Sequence, residues 1–184
     1  MLSLPRHWVA LCASLILTAC SPEMNWRDVQ PASTALTATM PCKPDDAMRS
    51  VPLDGRTVQM TLAGCEAGGA TFVVGWAGMP QTRLGPALGE WQDLILARAG
   101  IASGPDGPAG RPFLPPGALN LPQSLRLRAM GRSPDGKPLA LDAAWFATAG
   151  QPEAPAGQVF FAAIYGEPHD PQARDSFFTG MRLR

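Results

Sequence analysis

The sequence predicts an α+β fold: a single antiparallel sheet of about six strands with two helices packed on it, behind an N-terminal signal and tether. Three observations carry that prediction. Short stretches in which apolar and polar residues alternate recur along the chain, which is the signature of half-buried strands. Asp54-Gly55, flanked by two such stretches, is the strongest short hairpin signal a sequence can hold. One longer stretch has instead the three-and-four spacing of an amphipathic helix.

The elements follow in order. Leu36, Ala38 and Met40 alternate with Thr37 and Thr39 until Pro41 stops the run, predicting a first strand. Residues 51–53 and 56–62 form the arms of the Asp54-Gly55 hairpin, with Val58, Met60 and Leu62 opposed to Thr57, Gln59 and Thr61. Gly68-Gly69 marks the next turn and residues 70–76 a third arm, giving an antiparallel meander with one buried face. Leu84, Leu88, Trp91 and Ile95 form the apolar stripe of a helix that ends at Gly100. Residues 102–117 hold five prolines and four glycines in sixteen positions and read as a loop. Leu125, Leu127 and Ala129 alternate with Arg126 and Arg128, and Leu139, Leu141, Ala143 and Trp145 mark another strand. Residues 159–165 are apolar on both faces, as a central strand requires. Pro171 to Phe178 reads as a short helix with proline near its first turn, and Met181-Arg182-Leu183 is expected to close the sheet. No internal repeat interrupts this series.

Composition bounds the function. The chain has 184 residues, 46% of them hydrophobic, enough for one ordinary domain with a sizeable core. Fifteen basic residues balance fifteen acidic ones, so no electrostatic footprint for nucleic acid exists. Only two histidines occur, His7 and His169, which argues against a histidine metal site or relay. No cofactor and no metal are predicted.

Residues 1–19 read as an export signal. Arg6 precedes an apolar run from Trp8 to Ala19, about 12 residues and roughly 18 Å as a helix, short of the ~20 residues that span a bilayer. The run ends in Leu17-Thr18-Ala19-Cys20, which resembles a bacterial lipobox, where cleavage precedes a cysteine whose thiolate accepts diacylglycerol. The resemblance implies a lipidated Cys20, stable anchoring by several acyl chains, and a membrane as partner. Ser21 in place of Asp implies the outer rather than the inner membrane, with the protein facing the periplasm. The organisation expected is a signal over 1–19, a lipidated tether over 20–33 and one α+β domain over 34–184.

Chemistry is sparse. His169 lies in a turn-like segment, Gly166-Glu167-Pro168-His169-Asp170-Pro171, with no Gly-x-Ser-x-Gly elbow to supply a nucleophile. Asp45-Asp46 follows Pro44 and reads as a capped or solvated loop. Glu90 and Asp93 lie three apart on the polar side of the helix and read as a solvated face. No phosphate-cradling loop follows Gly64 to Gly69. Trp76, Trp91 and Trp145 belong to the core sides of their elements. Trp26, with Arg27 beside it, stands in the polar tether and either docks on the domain or touches membrane or partner.

A Cys42–Cys65 disulfide follows from hairpin geometry. With Asp54-Gly55 as a two-residue turn, Leu53 faces Arg56, and continuing that register brings Cys65 opposite residue 44, two positions from Cys42. Pro41 and Pro44 curve the chain enough to close the gap to the ~4.4–6.8 Å between Cα atoms that a bridge needs. With Cys20 lipidated, these are the two thiols left in the exported chain, and the periplasm is oxidising. The alternative is a pair of free buried cysteines.

Asn25-Trp26-Arg27-Asp28, the strand ending in Met40-Pro41-Cys42-Lys43-Pro44, the hairpin, Gly69-Ala70-Thr71-Phe72-Val73 and the closing Phe177-Phe178 to Leu183 together resemble uncharacterised proteobacterial envelope lipoproteins. The element order is similar, more remotely, to PsbP-like domains. That resemblance implies an assembly or interaction module rather than an activity. The expected function is therefore a non-catalytic, lipid-anchored module of an envelope complex. The alternative is an envelope hydrolase or ligand binder built around His169 and the Gly/Pro loop.

Overall fold

The computed structural model describes residues 23–151 and 156–184. Cys20 and the expected signal lie outside the described residues. Ten strands and two helices follow in the order β1 (Arg27–Val29), β2 (Leu36–Met40), β3 (Asp45–Leu53), β4 (Arg56–Ala67), β5 (Ala70–Met79), α1 (Leu84–Arg98), β6 (Arg111–Pro112), β7 (Leu125–Arg132), β8 (Pro138–Thr148), β9 (Gly157–Gly166), α2 (Ala173–Thr179) and β10 (Arg182–Leu183). A seven-stranded antiparallel sheet has the order β3-β4-β5-β9-β8-β7-β6.

Strand β9 holds the middle of that sheet, as its two apolar faces require. Val159, Phe161 and Ala163 pack beneath α1, while Phe160, Ala162 and Ile164 belong to a second core on the other side. Leu84, Leu88 and Trp91 of the helical stripe are buried against the first face. Gly75 leaves room on this face for the Leu62 side chain, which a Cβ there would displace, and Trp91 of the helix packs beside it. The second face is covered by α2, which inserts Phe177 and Phe178, and by a three-stranded sheet of order β1-β2-β10.

The sheet therefore departs from the expectation of one layer of about six strands. Leu36–Met40 and Met181-Arg182-Leu183, expected in that sheet, lie in the small one, where Arg182 faces Thr37 and Leu183 faces Leu36. The alternation of residues 36–40 promised one wet face. Instead Thr37 is 1% exposed, because β2 is covered on both sides. The expected tether is also shorter than residues 20–33. Arg27, Asp28 and Val29 pair with Met40, Thr39 and Ala38, so this part of it is a strand of the fold.

Asp54 and Gly55 both take positive φ, 57° and 68°, as the two-residue turn demands. The register it sets runs unbroken from Leu53↔Arg56 to Asp45↔Gly64. Cys42 and Cys65 are bridged, with Cα atoms 6.0 Å apart. Asp45 and Asp46 open β3 rather than a loop. Successive strand residues point to opposite faces, so the two carboxylates cannot act as a pair. Glu90, expected on a solvated face, instead accepts the backbone N–H of Asp54, and Arg83 Nε donates to the Asp54 carboxylate at 2.8 Å. That guanidinium holds the Asp54 carboxyl below its usual range. These contacts pin the start of α1 to the hairpin.

Candidate functional site

The helix α1 stops before the sheet does. Gly100 takes φ 63°, ending the helix in the left-handed conformation usual there. The backbone N–H of Arg132 then donates to the Ala99 carbonyl at 2.8 Å, fixing the helix end on β7. Beyond that point the strands continue uncovered. A cleft of about 940 Å³ results, floored by the sheet and walled by Ile95, Arg98 and Ala99 on one side and by Arg132 and Pro134 on another.

Register places its floor. Glu66 faces Thr71, Thr71 faces Tyr165, and Tyr165 faces Leu141, so one row across four strands presents a carboxylate, a hydroxyl and a phenol on the α1 side. Val73 and Leu139 add apolar surface beside them. Tyr165 is the one tyrosine of the chain. Burial pushes its phenol up to about 12, against the opposing pull of the Arg98 charge. The phenol is thus neutral at physiological pH and offers a hydrogen bond rather than a base.

None of the ion pairs among the described residues uses Arg98 or Arg132, both of which are exposed on the rim. Arg132 Nη1 donates to the Gly136 carbonyl at 3.0 Å, its one side-chain hydrogen bond among the described residues. The site has the composition of a small-molecule cleft, mostly apolar with a few convergent polar groups.

The chain reaches this end of the molecule from its N-terminus. Asn25 N–H donates to the Pro41 carbonyl at 2.6 Å, Trp26 sets its ring edge-on to Phe72 at 6.2 Å, and Asp28 accepts from Thr39 at 2.6 Å and from Arg182 at 2.7 Å. Those two donors hold the Asp28 carboxyl below its usual range. Trp26 and Arg27 are half-buried, and Arg27 Nε donates to the Asn25 carbonyl at 3.2 Å. The Asn-Trp-Arg-Asp segment thus docks on the domain. Upstream of it, Met24 packs where a Cβ of Gly68 would stand, and His169 where a Cβ of Gly69 would stand. Both glycines belong to the cleft rim.

Most other residues singled out in the sequence lie elsewhere. His169 is exposed, and its one side-chain hydrogen bond among the described residues is to Glu23 at 2.6 Å, with no Ser or Cys on the ring. The Gly/Pro loop does not meet it by any hydrogen bond there. Its Phe113 goes instead between Phe146 and Phe178, at 5.7 and 5.8 Å. Among the described residues no cluster of three or more His, Cys, Asp and Glu could hold a metal, and no helix is long and apolar enough to cross a membrane. Sequence reasoning missed Arg98, Arg132 and Tyr165 as a group. The signal available was a helix ending at Gly100 beside a central strand that ends in the chain's one tyrosine. Against known proteins the chain matches no family, no curated protein and no solved structure.

Proposed function

We propose that the chain is a lipid-anchored protein of the bacterial outer membrane, facing the periplasm, and that it works as a non-catalytic interaction module of the envelope. The observation that carries the reading is the open cleft beside the end from which the chain runs back to Cys20. Glu23 is three residues from that cysteine, so the anchor lies at most about 10 Å along the chain from the His169 contact at the rim. The Cys42–Cys65 bridge supports export to an oxidising compartment. The cleft's polar groups also favour binding, since two guanidiniums, a carboxylate, a hydroxyl and a neutral phenol do not make an activated nucleophile with its base.

Two readouts test this. Intact-mass analysis of membrane-extracted protein should show a diacylglyceryl adduct on an N-terminal Cys20; a soluble product cleaved elsewhere would overturn the anchor. In intact cells, a photo-crosslinking residue at Pro134 on the rim should capture an envelope component, and one at Thr82, at the opposite end of α1, should not. Equal capture at both positions would overturn the cleft as the interaction surface.

A further inference from the structure

The occupant of the cleft can be specified further. This step rests on the anchored reading above. Four strands and the helix end make a pocket whose floor carries Glu66, Thr71 and Tyr165 with Val73 and Leu139 beside them, and whose walls carry Ile95, Arg98 and Arg132. Its charges are two cations to one anion. Several of the other cations nearby are paired. Lys137 pairs with Asp135, and Arg128 and Arg174 pair with Glu167. Arg98 and Arg132 are the cations that line the cleft, and neither joins an ion pair among the described residues.

Position selects the ligand. Met24 packs on Gly68 and Glu23 on His169, so the chain leaves the domain on the α2 side of the Gly68-Gly69 turn that edges the cleft. A cysteine three residues upstream, embedded by its acyl chains, holds Glu23 within about 10 Å of the bilayer surface and the turn beside it close to that surface. A surface so placed meets phospholipid at far higher concentration than any soluble solute. A volume near 940 Å³ admits a headgroup, its glycerol and the first methylenes of the acyl chains.

We infer that the cleft binds an anionic phospholipid of the anchoring membrane, with Arg98 and Arg132 on the phosphate, Tyr165 and Thr71 donating to its oxygens, and Val73, Ile95 and Leu139 against the glycerol and upper acyl chain. The guanidiniums supply the charge-assisted hydrogen bonds. The floor supplies apolar contact that a free phosphate cannot use.

The single tyrosine makes the test direct. Full-length lipidated chain made with 3-fluorotyrosine gives one fluorine resonance, from the floor of the cleft. In phosphatidylcholine nanodiscs, stepwise replacement of host lipid by phosphatidylglycerol should move that resonance to a saturating limit. Inorganic phosphate added to phosphatidylcholine nanodiscs should leave it unmoved. The R98E/R132E double variant should lose the response, with its circular dichroism unchanged. No movement with phosphatidylglycerol, equal movement with free phosphate, or an undiminished response in the folded double variant would each overturn the inference. The mass of Cys20 in the same sample separates this failure from a failure of the anchor. Capture of a protein instead of lipid at Pro134 would also overturn the lipid assignment while leaving an interaction module intact.

Discussion

The two faces of the large sheet carry cores of similar size, 19 and 18 buried residues, and end differently. On the α2 face charge is spent on closure. Asp142, 4% exposed, takes a bidentate contact from Arg126, at 2.7 Å to each oxygen, and Arg174 of α2 lies 3.8 Å from the same carboxylate. Arg126 in turn lies 3.6 Å from the centre of the Phe178 ring, and Glu167 joins Arg128 to Arg174. These contacts tie helix, strands and ring together. On the α1 face Arg98 and Arg132, at the sheet's end, make no ion pair among the described residues even with Glu66 in the same cleft, and the cleft stays open. The same residue type thus closes the α2 face through the buried Asp142 and, at the far end of α1, lines an open cleft where no buried carboxylate stands opposite it.

The comparison can be broken at its strongest point first. Asp142→Ala leaves Arg126 buried without its partner and should cost ~3–5 kcal/mol in denaturant unfolding. Arg98→Ala and Arg132→Ala, on the open face, should each stay within about 0.5 kcal/mol. Similar losses on both faces would erase the distinction. The disulfide comes next, since Cys42→Ser should lower stability by ~3 kcal/mol in the chain-entropy account of a loop this long. Reduction of the native protein should reproduce that loss. Trp26→Ala should cost about 1–2 kcal/mol by removing its edge-on contact with Phe72, and should make residues 23–33 readily cut by protease. A variant as stable and as resistant as the native chain would return this segment to a free tether.

The smallest effect at neutral pH belongs to Tyr165. Its folded pKa is raised to about 12 from 10.0, so the fold prefers the neutral phenol. The sign follows: this contribution to stability is complete below pH 10 and is lost as pH rises through 12. Absorbance at 295 nm should show one phenol titrating near pH 12 in the folded protein. Titration near pH 10 would mean that the floor of the cleft is fully wet. Tyr165→Phe should remove the alkaline loss.

Where one short signal determined geometry, the fold was legible. Asp54-Gly55 fixed the register of β3 on β4, and through it the nearness of Cys42 and Cys65. Residues 159–165, apolar on both faces, marked the middle of the sheet. The small second sheet was not legible, because the threonines of β2 imitate a solvent face. Thr37 is buried there, and Thr39 is satisfied by Asp28 from a strand 11 residues away in sequence. Glu90 misled for the same reason, since its partner is the amide of a turn far along the chain. The cleft is harder still. Its walls are ordinary arginines, and what makes them a site is that α1 ends at Gly100 while β4, β5, β8 and β9 run on. That mismatch of lengths is a tertiary fact, visible in sequence only as two separate punctuation marks.

We propose that the open end of the α1 face is the working surface and is covered at the membrane. Hydrogen exchange on the full lipidated chain, in detergent and in phosphatidylglycerol-containing nanodiscs, tests it most directly. Peptides spanning residues 64–73, 95–100 and 132–139 should exchange more slowly in the nanodisc, while those spanning 79–85 and 173–179 should not change. Protection confined to 173–179, or absent from all of them, would contradict the account.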